Sequence, residues 1–435
     1  MDSVADFALD YAAKLGLDEA EVSLHEGTGV SVNVRMCELE TVEKHNDAQI
    51  VVNVYKNHHT GSASSADMSE AGVRSLLDAA ASIASQTGAD ECLGLADKEL
   101  MASELYDLDL HHPWGADITE LAQLATRCED AALSRDKRIS NSEGANVSTY
   151  SGNALYANSH GFRSISSSSQ HSLSCSVIAG KDAGMQRDYW YDSDRNAANL
   201  DAPEAIGKTA AERAVQRLDA RKIDSTETPI LFDPAMAKSL IGHLVGALRG
   251  GAIYKRASFM LERLEQQIMP EFVTIAEHPH IPAGAGSALH DNEGVATPAY
   301  HALVDQGRLQ TYVLGSYTAR KLGLSSTANA GGVRNLRVSD TGHNFQELLA
   351  QMGQGLLVTE LIGSGINMVT GDYSRGAAGF WVENGEISYP VEEITIAGNL
   401  LDMYQGIVAV GNDTDRRGNT HSGSILVQNM TLAGS

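Results

Sequence analysis

The stretch that decides the fold runs from Gly365 to Asn399 and reads GINMVTGDYSRGAAGFWVENGEISYPVEEITIAGN. Apolar segments flank Asn384-Gly385, a pair typical of the type I′ turn that joins two antiparallel strands. The stretch therefore predicts a β-hairpin. A polar segment, Asp372 to Gly376, precedes the apolar part of the first strand.

The regions on either side of this hairpin also favour strands. GLLVTEL and GIVAVG have the composition of strands. Short helices are expected at about Pro234–Leu248, Tyr317–Leu322, Phe345–Gln351 and Leu400–Tyr404. Strands and helices do not alternate as βαβαβ, so the fold class predicted is α+β with much antiparallel sheet.

In the first half, strands followed by a helix occur twice. A helix at about Ser3–Leu15 precedes EVSLHEG, VSVNVRM, LETVEKH and QIVVNVY, which alternate with period two and predict a meander of four strands. A helix then follows at about Ser69–Ser85. The second set comprises STYSGNALYANS, FRSISSSSQHSLSCSVIAG and MQRDYWYD. The repetition suggests a duplicated unit, although the residues themselves do not match.

Local signals predict where two further helices begin. Asp117 and Glu120 have the spacing of a capping box at the start of a helix. Asp201 and Glu204 are expected to cap a helix that ends at about Leu218. Between the two sets of strands, the segment from Gly88 to Trp114 is expected to be irregular.

A chain of 435 residues is longer than one hydrophobic core usually organises. We predict an N-terminal α+β domain over 1–220, with sub-units 1–110 and 111–220, and a C-terminal β-rich domain over 221–435. The boundary is placed at RKIDSTETP, from Arg221 to Pro229.

Composition narrows the class of protein. The formal net charge is −24, from 32 Lys and Arg against 56 Asp and Glu. Such a balance argues against binding to nucleic acids or to anionic membranes. We expect no secretory signal and no membrane span, because the first residues lack a basic region and no apolar run is long enough. The four cysteines form no C-x-x-C pair, which fits a reducing cytoplasm.

A metal site is the first chemistry to consider, because the chain has 15 histidines. No H-E-x-x-H motif occurs; His25-Glu26 comes closest, but Thr28 and Gly29 follow it, and it is interpreted as a surface strand histidine. His278, His280 and His290 form the densest cluster. Loop histidines of this kind are more often solvated than bound to a metal.

Nucleophile and dinucleotide motifs are incomplete. No G-x-S-x-G sequence surrounds Ser364 or Ser374. Gly363 and Gly365 begin a G-x-G pattern without its third glycine, which is better interpreted as a tight turn.

The segment Asp372-Tyr373-Ser374-Arg375 allows two interpretations. Arg375 could bind a carboxylate of a peptide or a partner through two parallel hydrogen bonds. Alternatively, Asp372 and Arg375 pair with each other across a turn, which is the favoured interpretation. The residues alone thus indicate a two-domain α+β protein without an intact catalytic constellation.

The 365–399 stretch, together with DNEGVATP at 291–298 and YTARKLG at 317–323, resembles the PmbA/TldE family. The resemblance implies a fold similar to that of TldD and membership of a cytoplasmic TldD/TldE peptidase complex. That complex processes or degrades small or unfolded peptides. An older family name is modulator of DNA gyrase, and the acidic composition does not favour direct DNA binding.

The resemblance also implies that this chain lacks the zinc site. TldD-type subunits carry H-E-x-x-x-H on a helix, and GHLVGA aligns with it here. Gly242 and Ala247 fall at the ligand positions and offer no lone pair, while His243 falls at the glutamate position. Ser422, beside His421, falls where a distant cysteine ligand is expected. No catalytic residue and no metal are therefore assigned to this chain, and zinc is expected in the partner.

Two hypotheses follow. In the first, the chain is a metal-free subunit that binds a TldD-type zinc peptidase and its peptide substrates, and forms a homodimer when that partner is absent. In the second, it is an independently active metallopeptidase whose non-standard site is built from His243, His278, His280 or His421. The first is favoured, because an independent site should leave a recognisable ligand spacing.

Overall fold

The first half of the chain repeats one arrangement, a helix followed by three strands and a second helix. The computed structural model describes residues 1–434. The first copy comprises α1 (Asp2–Lys14), β1 (Glu19–Arg35), β2 (Glu38–Lys56), β3 (His59–Ser65) and α2 (Glu70–Ala84). The second comprises α3 (Ile118–Arg135), β4 (Ile139–Asn158), β5 (Arg163–Ala179), β6 (Gln186–Asp194) and α4 (Pro203–Gln216). The predicted duplication is therefore present in the order of elements.

Both copies share one antiparallel sheet, in the order β3-β2-β1-β4-β5-β6. The two first strands of the copies, β1 and β4, pair at its centre from Glu21 opposite Asn158 to Val34 opposite Ala145. Apolar residues on one side of the sheet pack against the helices in two separate clusters. The opposite side carries mostly polar residues of β1, β4 and β5.

The predicted four-strand meander is wrong: the segment forms two long strands, β1 and β2. Their pairing continues through the polar residues at the expected breaks, with Thr28 opposite Asn46 and Gly29 opposite His45. Extended backbone with cross-strand bonds satisfies these residues, so no turn is needed. The connection is instead the two-residue turn Met36-Cys37, in which both residues have positive φ.

The helix starts are predicted with mixed success. Asp117 and Glu120 form the expected capping box of α3. Asp201 does not cap α4, whose N-cap is Ala202 with Pro203 as the first helical residue. Proline suits that position because its missing N–H would have no helical partner there.

The second half of the chain contains the remaining elements. Its helices are α5 (Pro234–Leu248), α6 (Gly250–Tyr254), α7 (Ser316–Leu322), α8 (Phe345–Met352) and α9 (Leu400–Gln405). Its first strands are β7 (Thr226–Phe232), β8 (Ile275–Glu277), β9 (His301–Asp305), β10 (Arg308–Leu309), β11 (Leu336–Val338) and β12 (Gly355–Ile362). The others are β13 (Asp372–Glu383), β14 (Glu386–Asn399), β15 (Ile407–Val410), β16 (Thr420–His421) and β17 (Ile425–Ala433).

The predicted hairpin is β13 and β14, joined by Asn384-Gly385 with φ of 52° and 76°. Their sheet runs β14-β13-β12-β7-β17-β15, and an additional pairing of β14 with β17 closes it into a barrel. A smaller five-stranded sheet, β10-β9-β8-β11-β16, completes this half. Antiparallel pairs dominate, and the α+β prediction is confirmed.

Helix α5 packs its apolar residues against this barrel; they include Leu240, Ile241, Leu244 and Leu248. It begins at Asp233, whose side chain accepts a hydrogen bond from the N–H of Met236 at 2.8 Å. Burial raises the pKa of Asp233 to about 6, and Asp415 adds to the shift. No helix among residues 1–434 has the length and apolar composition to cross a membrane.

Two helical glycines provide a matched test of packing. A Cβ at Gly207 in α4 would lie 1.9 Å from the carbonyl oxygen of Cys128 in α3, whereas one at Gly242 in α5 would meet nothing within 4 Å. Gly207→Ala should lower the free energy of unfolding by about 1–3 kcal/mol through overpacking. Gly242→Ala should raise it by about 0.5–1 kcal/mol, because alanine favours the helix. Denaturant unfolding measures both, and equal effects would contradict the close approach of α3 and α4.

The buried cap predicts a pH-dependent stability. The pKa of Asp233 in the folded chain, about 6, exceeds the ordinary 3.8, so ionisation of this carboxyl destabilises the fold as pH rises from about 4 to 6. Asp233→Asn keeps a cap and removes the ionisation. Its free energy of unfolding should equal that of the parent chain near pH 4 and exceed it by up to about 3 kcal/mol at pH 7. Asp117→Asn, at the cap of α3, is the control; parallel pH curves for Asp233→Asn and the parent would contradict the burial cost.

Candidate functional site

The structure brings together three of the residues selected from sequence: His243 of α5, and Tyr373 and Arg375 of β13. Side chains alternate along a strand, so Tyr373 and Arg375 point inward while Asp372 and Ser374 are exposed. The rings of His243 and Tyr373 lie edge to face with centroids 6.1 Å apart. We call His243, Tyr373 and Arg375 the α5–β13 cluster.

Arg375 is held by its own chain. Its Nη1 donates to Ser239 Oγ at 3.2 Å and its Nη2 to the carbonyl of Leu361 at 3.3 Å. The expected pair with Asp372 is wrong, because the two residues lie on opposite sides of β13. Asp372 instead accepts a hydrogen bond from the hydroxyl of Thr370 at 2.6 Å.

The α5–β13 cluster retains unused hydrogen-bonding capacity. Within the described chain, His243 Nε2 and Arg375 Nε are buried and have no hydrogen-bond partner. Burial and the nearby Arg375 lower the pKa of His243, which is therefore neutral at pH 7. Burial raises the pKa of Tyr373 to about 12. The cluster thus carries one positive charge, on Arg375.

The two positions that align with the zinc ligands carry side chains that cannot bind a metal. Gly242 is exposed and Ala247 is fully buried on another side of α5. In the segment from Gly242 to Ala247, His243 has the one side chain with an atom that could ligate a metal. Across residues 1–434, no three His, Cys, Asp or Glu side chains come together in a group that could hold a metal. The residues present do not fit a zinc ion.

The other histidines considered for a metal are not gathered into one site. His280 bonds with Tyr106 and Thr297, and His290 Nδ1 donates to the carbonyl of Asp291 at 2.7 Å. His421 Nε2 donates to the carbonyl of Gly418 at 3.1 Å. The ring of His278 packs edge to face on Tyr300.

The remaining candidate residues selected from the sequence have structural roles or lie in the packed interior. His25 lies on strand β1 and bonds with the hydroxyl of Tyr150 at 2.5 Å. Ser422 is fully buried and donates to the carbonyl of Gly423. Gly363 has φ of +76°, and a Cβ at Gly365 would lie 1.9 Å from the carbonyl of Ser374. Gly363 therefore allows a left-handed backbone conformation at the start of the 363–371 loop, and Gly365 allows the close approach of that loop to β13.

Two cavities were not predicted. One, of about 540 Å³, lies beside the start of α5 and is lined by residues of both halves, including Trp190, Arg213 and Arg417. The guanidinium carbons of Arg417 and Arg213 lie 4.0 and 5.1 Å from the ring centroid of Trp190. These residues are far apart along the chain, so no local motif could indicate them.

The larger cavity, of about 900 Å³, lies between the polar side of the N-terminal sheet and the 287–292 segment. Strand residues Ser23, His25 and Ser166 line one side, and His290 and Asp291 line the other. Burial, reinforced by Glu293, raises the pKa of Asp291 to about 6. Backbone N–H groups of Glu293, Val295 and Ala330 donate to its carboxylate. Asp291 is the first residue of the DNEGVATP segment, and that segment was the one sequence feature that could have indicated this cavity.

Comparison with known proteins gives matches over almost the whole chain. Models of PmbA/TldA metallopeptidase domain 1, central domain and C-terminal domain match residues 20–84, 111–218 and 225–434. Metalloprotease PmbA of Escherichia coli O157:H7 is 47% identical over 417 residues, which cover 96% of this chain and 92% of the relative. A PmbA homolog of Haemophilus influenzae is 44% identical over 431 residues, covering 99% and 95%.

Solved structures of similar proteins have the same fold as this chain. A Bacteroides thetaiotaomicron protein named for modulation of DNA gyrase superposes with a TM-score of 0.94 at 27% identity, covering 100% of this chain and 99% of the other. TldE from Thermococcus kodakarensis shares the fold with a TM-score of 0.83 at 19% identity, covering 99% and 100%. The chain belongs to the PmbA/TldD family of metallopeptidases.

Proposed function

We propose that this chain is a TldE-type subunit that binds no zinc itself and assembles with a TldD-type zinc peptidase in the cytoplasm. Together they would process or degrade small or unfolded peptides. One observation carries the proposal: the helix aligned with the zinc motif has no ligand at Gly242 or Ala247, while the adjacent Arg375 places a fixed positive charge beside His243. A cation would be repelled from that position.

The large cavity supports a role in enclosing peptide. Its walls combine strand residues with polar side chains and the 287–292 segment, and its volume of about 900 Å³ suits several residues of an extended peptide. Polar side chains on these walls can hydrogen-bond the backbone amides of an extended peptide, and such contacts depend little on the peptide sequence, which suits a subunit handling unfolded chains. When the TldD-type subunit is absent, the chain is proposed to associate with itself.

The absence of zinc in this chain is tested by elemental analysis. The purified chain should contain well below one zinc per chain and hydrolyse no unfolded peptide, because its α5 offers no ligand set. Adding a TldD-type subunit should give peptidase activity together with zinc. Stoichiometric zinc and activity in the lone chain would instead establish the independently active metallopeptidase.

The role of Arg375 is tested with the assembled pair. Arg375→Ala removes the fixed cation of the α5–β13 cluster, and we expect about ten- to hundredfold weaker partner binding or complex activity, the value of one charge-assisted hydrogen bond. Folding should persist, since Arg375 is only half-buried and its side chain makes two hydrogen bonds. Affinity by titration and peptide hydrolysis provide the measurements.

Arg256→Ala is the matched control, because Arg256 is an exposed arginine of the same half paired with Glu262. It should leave affinity and activity unchanged. Unchanged affinity and activity for Arg375→Ala as well would remove Arg375 from the contact.

A further inference from the structure

Arg334 lines the large cavity with a guanidinium that makes few contacts within the chain. Its Nη2 donates to the carbonyl of Ala330 at 3.4 Å, which is the one hydrogen bond of this guanidinium within residues 1–434. Its Nε is buried and has no partner in that range. A guanidinium has five N–H donors and no acceptor. Most of the hydrogen-bonding capacity of Arg334 therefore remains available on a wall of the cavity.

Asn292 provides a second polar side chain next to Arg334. The backbone N–H of Asn292 donates to the carbonyl of Ala330 at 3.1 Å, so Asn292 and Arg334 meet at one acceptor. The Asn292 side chain is exposed and lines the same cavity. Gly331 makes room for it, because a Cβ at this position would lie 2.5 Å from Asn292 Nδ2. A carboxamide and a guanidinium thus lie close together on the cavity wall.

The charged neighbours of Arg334 leave its donors available. Asp291 and Glu277 attract the guanidinium, yet neither side chain is among its hydrogen-bond partners along the described chain. The carboxylate of Asp291 accepts three backbone N–H groups, which offset part of its charge. The carboxylate of Glu277 accepts the side-chain amide of Asn329 and the backbone N–H of Arg334. Both carboxylates are therefore held by other groups.

We propose that Arg334 and Asn292 bind the free C-terminal carboxylate of a peptide that enters the large cavity. A carboxylate presents two oxygens in one plane, which match two parallel N–H groups of a guanidinium, and the resulting hydrogen bonds are charge-assisted. Every peptide with a free C-terminus carries this group, whatever its sequence. The substrate class is peptides with an unmodified C-terminus, which are recognised at that end and not through particular side chains.

The rest of the cavity suits the residues that precede such a carboxylate. Leu105 and Tyr106, from the segment between α2 and α3, line it and are exposed by 47% and 53%. They provide apolar surface for a peptide side chain. Ser23 and Ser166 lie on the N-terminal sheet and can hydrogen-bond peptide amides. The proposal thus fixes the direction of the peptide, whose last residue lies at Arg334.

The inference deepens the proposed enclosure of peptide in this cavity and rests on that part of the proposed function. It requires no zinc in this chain and no TldD-type subunit. A cavity that binds peptides without regard to their C-terminus would leave the proposed enclosure standing and overturn this inference alone. A cavity that binds no peptide would overturn both.

Paired peptides test the carboxylate in the purified full chain. The probes are two acetylated alanine–glycine pentapeptides, one with a free C-terminus and one with a C-terminal amide, so the two differ by one charge. Titration calorimetry should show that the free acid binds about ten- to hundredfold more tightly, as expected for hydrogen bonds between charged groups. Equal affinities of the two peptides would contradict the proposal.

Substitution of Arg334 should abolish this preference. Arg334→Gln removes the charge and keeps a polar side chain, so both peptides should bind with the weaker affinity of the amide. Arg334→Lys keeps the charge without the planar fork, and part of the preference should remain. A damaged fold would weaken both peptides alike, whereas loss of the carboxylate contact weakens the free acid alone. A full preference in Arg334→Gln would overturn the assignment to Arg334.

Arg337→Gln is the matched control, because it removes the same charge three residues further along the chain. Arg337 is exposed on β11 and does not line the cavity. The preference for the free acid should be unchanged in this variant. Asn292→Ala should reduce the preference about threefold, through the loss of one hydrogen bond. An equal loss in Arg337→Gln and Arg334→Gln would indicate a general effect of net charge and overturn the proposal.

A third probe distinguishes the two ends of a peptide. It has the same sequence with a free N-terminal amine and a C-terminal amide. Asp107, Asp109 and Asp291 also line the cavity and could attract an amine. The third probe should bind more weakly than the acetylated free acid. Tighter binding of the third probe would show that the cavity recognises the N-terminus, and the proposal would then be wrong.

Discussion

The closing of the C-terminal barrel by β14 and β17 is the constraint on which the candidate site depends. Strand β14 pairs with β13 along most of its length and with β17 near its end, from Thr395 opposite Ala433 to Ala397 opposite Thr431. Closure removes two open edges and fixes which side of β13 faces inward. Because Tyr373 and Arg375 face inward, they meet α5. The α5–β13 cluster is thus a consequence of strand register rather than of any local motif.

Individual residues show which parts of the fold could be predicted from the sequence. Asn384-Gly385 specified its own turn, and Asp117 with Glu120 specified the start of α3, because both signals act over a few residues. The break expected between EVSLHEG and VSVNVRM failed, because cross-strand pairing with β2 satisfies glycine and polar residues that look like a turn in isolation. Asp201 failed as a cap because Pro203 fixes the first helical turn one residue later.

In the candidate site, too, features set by neighbouring residues could be predicted, whereas contacts between residues far apart along the chain could not. Period-two alternation in DYSRG was sufficient to separate Asp372 from Arg375, and the turn interpretation overlooked it. The contact of Arg375 with Ser239 joins residues far apart along the chain, as does the stacking of Arg417 on Trp190. Such contacts require the tertiary fold. Helix α5 lies within the region that matches the metallopeptidase C-terminal domain, and His243 is the one residue from Gly242 to Ala247 whose side chain has an atom able to ligate a metal.

The central position of β1 and β4 has a consequence for synthesis of the chain on the ribosome. Strand β1 has β2 on one side, and its other side is covered only by β4, which ends at Asn158. The first copy of the repeated arrangement ends at Ala84, so a long segment must emerge before the sheet is complete. At about 5–20 residues per second, the unpaired side of β1 stays exposed for about 4–15 s. During that interval the nascent chain has an unpaired strand available to chaperones or to neighbouring nascent copies.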